Sequence, residues 1–220
     1  MKKVQGTHAV ALLESLRPTQ LTLGMNQVLH KMDVTRENGT NARGKPSPAA
    51  LRRFARRHRI CTIAGPGGAL YIADHHHWAR AWLELGWRRA PVTIIADLSG
   101  LEPDAFWRRM RALGHLHPYD EHGERLGAAD LPPNVTGMRD DPYRSLAAFA
   151  RDAGAYRKPG NAYGDFSWAD FFRNRIHEDV HSIAGFARAL TRAIRLARTR
   201  GARRLPGFCG VAEEGRRQRK

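Results

Sequence analysis

The chain has 220 residues, 42% of them hydrophobic and 26% charged, enough for one sizeable core with or without a helical appendage. Its formal net charge of +16 and pI near 11.0 point to a polyanionic partner, either nucleic acid or a phosphorylated small molecule, or to an anionic surface. Cys61 and Cys209 lack metal-ligand spacing, which excludes a disulfide framework or a cysteine zinc site and fits a reduced, cytoplasmic setting, and no apolar run approaches the ~20 residues of a membrane span.

In chain order, an apolar stretch at His8 to Leu16 precedes Arg17-Pro18, where proline enforces extended backbone. Met25, Val28, Leu29 and Met32 have helical spacing and leave Lys31 at the polar edge of a short helix. Thr35 to Ser47, rich in Gly, Asn, Lys and Arg, reads as a mobile loop. Ser47-Pro48 is a cap followed by proline at the first helical position. The helix it starts carries Leu51, Phe54 and Ala55 inward and a dense cationic face, Arg52 to Arg59, outward. Strands are predicted at Ile60 to Ala64, Leu70 to Ala73 and Pro91 to Ala96, and helices at Pro103 to Leu113, Tyr143 to Asp152, Trp168 to Arg175 and Ile183 to Arg200.

The densest set of local signals lies between Ala64 and Ala81. A glycine-rich turn containing Gly67 and Gly68 leads into a strand that ends at Asp74, and His75, His76 and His77 follow. With Asp74 as N-cap, the three histidines fall on the first turn of a helix, where unpaired backbone N–H groups and the helix dipole favour an anion such as phosphate. Successive helical residues point about 100° apart, so the three cannot share one metal or one ligand. Imidazole can contact phosphate or transfer a proton, with Asp74 orienting a histidine or holding a metal. Arg80, one turn on, is a charge partner either for Asp74 or for phosphate. Asp140 and Asp141, followed by Arg144 and Ser145, offer carboxylates for Mg²⁺ in a stretch that equally reads as a helix start with Asp141 as cap. His177-Glu178-Asp179-Val180-His181 fits the short HExxH zinc pattern, but no further histidine follows it.

Several ordered blocks carry a resemblance: LRPTQLTLGMNQVLHKM (16–32), GPGGALYIADHHHWARA (65–81), FWRRM (106–110), DDPYRSLA (140–147), AYRKP (155–159), FSWADFFR (166–173) and LPGF (205–208). Together they resemble the ParB-like nuclease family within the ParB/sulfiredoxin superfamily, over nearly the whole chain. The resemblance implies an α+β fold with a small mixed sheet in residues 1–115, a mostly helical part in 116–208 and a basic tail in 209–220. It implies nucleotide phosphates bound at the strand-to-helix motif. Aligned on Arg80-Ala81, that motif, Gly-Glu-Arg-Arg in ParB, falls on His75, His76, His77 and Trp78, so this chain departs from it at all four positions, and the resemblance implies phosphate-binding side chains at His76 and His77. The resulting expectation is a nucleotide-binding enzyme that acts on a phosphate ester or anhydride, as a hydrolase, phosphotransferase or nuclease. Asp74, His76 and His77 would be catalytic. Lys31, Gly67, Gly68, His75, Arg80, Arg144 and Ser145 would bind the nucleotide, with a nucleoside triphosphate and Mg²⁺ as ligands. The alternative is a non-catalytic basic protein that binds nucleic acid through Arg52 to Arg59 and the tail.

Overall fold

In the computed structural model, which describes residues 6–41, 43–160 and 163–210, strand β1 (Thr7–Leu12) is followed by a turn of 3-10 helix and an extended segment containing the two-residue strand β2 (Thr22–Leu23). Helices α1 (Met25–Asn38) and α2 (Pro48–Arg57) precede the hairpin of β3 (Ile60–Ala64) and β4 (Leu70–Asp74). Helix α3 (His76–Glu84), strand β5 (Arg89–Asp97) and helix α4 (Pro103–Ala112) come next. After irregular chain and the short β6 (Arg139–Asp140), the remainder is helical: α5 (Pro142–Asp152), α6 (Gly164–Arg173) and α7 (Ile183–Leu196). This is an α+β architecture with a small mixed sheet followed by a mostly helical part.

The sheet has the order β1-β5-β3-β4. Strand β5 runs antiparallel to β1 and parallel to β3, and β3–β4 is an antiparallel hairpin. Pro91 precedes Val92, the first β5 residue paired with β3, so its missing N–H leaves that ladder intact. On one face Ile60, Ile72 and Val92 pack with Phe54, Trp78 and Trp82 from α2 and α3; on the other, Ile63 and Tyr71 pack with Phe106 and Met110 of α4. Burial of such side chains, at ~1.5–3 kcal/mol each, is what holds the two helical layers to the sheet.

By contacts the chain divides into two units after Asp141, whereas the sequence suggested a boundary at 115. Residues 116–141 stay with the first unit because Leu116, Val135 and Met138 are buried in its cores and β6 pairs with β2. In the second unit, Leu146, Trp168, Phe172, Ala189 and Ala193 form the core, and Tyr156 stacks on Trp168 with ring centroids 4.1 Å apart.

The mobile loop expected at 35–47 is corrected at its start: residues 35–38 continue α1. Thr35 is buried, its hydroxyl donating to the Lys31 carbonyl and accepting from Trp82 Nε1 at 3.2 Å. The Ser47-Pro48 start is as expected, with Ser47 Oγ accepting from Ala50 N–H. His177 and His181 lie outside any helix, so they do not share the helical face that the zinc motif requires. The expected tail lies outside the described residues from 211 on.

Candidate functional site

Asp74 is the last residue of β4, and the helix begins later than the sequence suggested. His75 is the N-cap, with φ 76° and ψ 28°, and it is the one non-glycine residue with positive φ among the described residues. A left-handed histidine costs on the order of 1–2 kcal/mol. Two bonds hold it there. Asp74 Oδ1 accepts from the His75 N–H at 2.6 Å, and the His75 Nδ1–H donates to the Arg59 carbonyl at 2.6 Å. The second bond fixes the tautomer and leaves Nε2 with its lone pair.

His76 and His77 have a different task. His76 is 2% exposed. Its Nε2 accepts the Thr19 backbone N–H at 3.2 Å, and its Nδ1 lies 3.1 Å from the Gln20 side-chain amide. With Nε2 accepting, Nδ1 carries the proton and donates, and turning the Gln20 amide so that Oε1 receives it also provides a partner for that otherwise unpaired buried oxygen. His77 Nε2 accepts the Gly24 N–H at 3.1 Å. The two rings thus fasten the segment 16–24 to α3. The rest of that segment is equally tied: Arg17 exchanges backbone bonds with Leu70 and Ile72, Thr19 O accepts from His117 N–H, and Arg139 and Asp141 donate to Leu21 and Leu23.

The remaining candidates separate. Lys31 Nζ stands 4.8 Å from the centroid of Trp78, in the first turn of α3. Gly67 and Gly68 have φ of 67° and 76° and lie in the exposed turn before β4. That is the far end of a five-residue strand from His75, roughly 15 Å away at ~3.3 Å per residue; the turn therefore does not join the histidines in one phosphate cradle. Arg80 pairs with neither Asp74 nor an open site. Its Nε donates to Glu84 at 2.6 Å and its Nη1 to the Val135 and Thr136 carbonyls at 3.0 and 3.1 Å. Asp140 Oδ1 accepts from Met25 N–H at 2.8 Å, which caps α1, and Asp141 is buried. Among the described residues no group of three or more His, Cys, Asp or Glu is placed to hold a metal ion. Arg144 and Ser145 are buried in the second unit, the Arg144 guanidinium 3.2 Å from the Phe166 ring centroid.

Further groups stand beside the junction whose surroundings the sequence does not announce. His58, just past α2, lies between Phe54 and Trp78 with ring centroids 4.5 and 4.7 Å away. Desolvation, followed by the nearby His75, Lys31 and Arg57 charges, pushes its pKa below the ordinary 6.5. This places a cationic cluster beside the N-terminus of α3. On the opposite strand, Cys61 pairs with Asp74. Burial and then the Asp74 charge push the Cys61 thiol up, while burial pushes His115 down against the opposing pull of Asp74. His58 and His115 both resist protonation when folded, so the unfolded chain binds more protons and stability falls as pH drops through 6.5. Thermal melts between pH 8 and 5.5 should show this loss, and His58→Asn together with His115→Gln should flatten it; an unchanged slope would refute the assignment.

The family described as "Putative ParB-like nuclease" matches residues 9–174. No curated protein matches the chain. The crystal structure of protein Atu1540 from Agrobacterium tumefaciens is similar, with 36% sequence identity and a TM-score of 0.83, over 94% of this chain and 100% of that one.

Proposed function

This chain belongs to the ParB-like nuclease family, and from that premise we propose that it binds the phosphates of a nucleotide at the β4–α3 junction and acts on a phosphate ester or anhydride, as a nucleotide hydrolase, phosphotransferase or nuclease. The observation that carries this reading is His75. A left-handed, hydrogen-bonded histidine with an available Nε2 occupies the turn that opens a helix, and strained backbone of this kind concentrates at functional sites.

In this reading Nε2 takes the proton of the attacking water or hydroxyl as the new P–O bond forms, the scissile P–O bond breaks, and the proton passes to the departing oxygen. Lys31 and the first N–H groups of α3 offset the phosphate charge. Asp74 holds His75 in its conformation, and His76 and His77 are positioning residues, because their Nε2 atoms serve Thr19 and Gly24. The arrangement supports His75 in the role first expected of His76 and His77.

The test is a thermal shift with nucleoside triphosphates, with and without added Mg²⁺ or Mn²⁺. At a hundredfold excess over Kd, binding adds ~2.7 kcal/mol, a rise of about 5–10 °C for a chain of this size. His75→Asn tolerates the left-handed conformation and should melt within a degree or two of the parent without ligand, yet lose the nucleotide shift. A retained shift would assign the ligand elsewhere; no shift for any nucleotide in the parent would remove the proposal. The non-catalytic reading is favoured by one observation, the exposure of Arg52, Arg53, Arg56 and Arg57 on α2, and predicts nucleic-acid affinity that falls steeply with salt and ignores His75.

A further inference from the structure

The excess charge of this chain is not evenly spread. Segment 38–73 contains seven Lys or Arg and no Asp or Glu, and it includes α2, whose outer face meets an apolar pocket. That pocket, of about 330 Å³, is lined by Val10, Leu51, Ala55, Trp87, Ala90 and Pro91, with Arg52, Arg56 and Arg89 completing the wall. Trp87 stacks on Trp82 at 5.0 Å and 13° and is half-buried, while Val10 is 66% exposed. An apolar hollow walled by three arginines and no acidic side chain selects a ligand that is flat and apolar in one part and multiply anionic in the next.

We propose that this pocket seats an unpaired base of single-stranded nucleic acid. The base packs on Trp87, Pro91 and the methylene stems of the arginines, and the flanking phosphates pair with Arg52 and Arg56. One helical turn, ~5.4 Å, separates those two residues, which suits successive phosphates of a single strand. A duplex keeps its bases stacked and cannot fill the hollow. A second copy of the chain would bring the same arginines and a charge of +16 against themselves. The site stands apart from the chemistry proposed at His75, so His75→Asn leaves it intact.

The experiment is fluorescence anisotropy with a labelled oligothymidylate of about a dozen nucleotides, within the usual range of single-strand site sizes, using the full chain without nucleotide or metal. Arg52→Gln with Arg56→Gln should weaken binding at least tenfold and lower the slope of log K against log salt by about 1.4, at ~0.7 per phosphate. Trp87→Phe should weaken binding several-fold and remove most of the quenching of intrinsic tryptophan emission. The same two arginine substitutions made at Arg188 and Arg192 of α7 should leave the affinity within twofold. The proposal is overturned if the parent chain does not bind the oligonucleotide, if duplex or polyglutamate competes as well as single strand, or if the α7 pair lowers the affinity as much as the α2 pair.

Discussion

His76→Ala should destabilise the first unit by about 3 kcal/mol or more, read as a shift in the midpoint of urea unfolding. Removing the ring leaves the Thr19 N–H buried without a partner, at ~1–3 kcal/mol, and also releases the Gln20 amide. It empties the space of a side chain that is 2% exposed, and the unfilled volume adds a cavity cost of its own. His75→Ala, one residue earlier, removes one bond to a carbonyl near the surface and should cost much less. If the two variants unfolded at the same midpoint, the structural task assigned to His76 would be wrong.

Gly207→Ala should be comparably damaging in the second unit. Gly207 has φ 79°, and a Cβ there would lie 2.1 Å from the Arg157 carbonyl oxygen. The Arg157 N–H donates to the Gly207 carbonyl at 2.8 Å, and the neighbouring Pro206 carbonyl accepts from Trp168 Nε1 at 2.8 Å. Backing away from the methyl group would therefore disturb two bonds that tie the chain end to the aromatic core. A loss of about 3 kcal/mol or more is expected, against on the order of 1 kcal/mol for left-handed strain alone. Gly154 supplies the control, because it has the same φ of 79° and nothing within 4 Å of a Cβ. Gly154→Ala should show only the strain, and equal melting losses in the two variants would mean that the contact with Arg157 does not matter.

These cases show where the residues themselves pointed to structure and where they fell short. Ser47-Pro48, the β3–β4 hairpin, β5 and helices α4 and α5 were readable because short-range chemistry sets them: a cap, a glycine turn, an alternation, a proline at the first helical position. The start of α3 was misread by the same logic. Asp74 looks like an N-cap, but its carboxylate accepts from the adjacent His75 N–H, and the partner that holds the left-handed turn is a carbonyl sixteen residues earlier. Thr35 reads as loop because nothing nearby in sequence announces Trp82 as its partner. Of the proposed site, Lys31 and the three histidines stand out in the sequence; how each histidine ring is engaged depends on Thr19, Gly24 and Arg59. In the sequence His58 is one member of the basic cluster 52–59, and only its packing between Phe54 and Trp78 sets it apart.

The exposed turn at Gly67 and Gly68 has a practical use. Nothing lies within 4 Å of either glycine's missing side chain, while the preceding Gly65 is pinned, a Cβ there coming 2.5 Å from Tyr71 and 2.9 Å from Phe106. A short insertion between Gly67 and Gly68 would project from a fixed base and carry no strain into β4. It offers an attachment point for a fluorophore or an affinity tag, at the end of the strand opposite His75, from which ligand binding can be followed without touching the histidines.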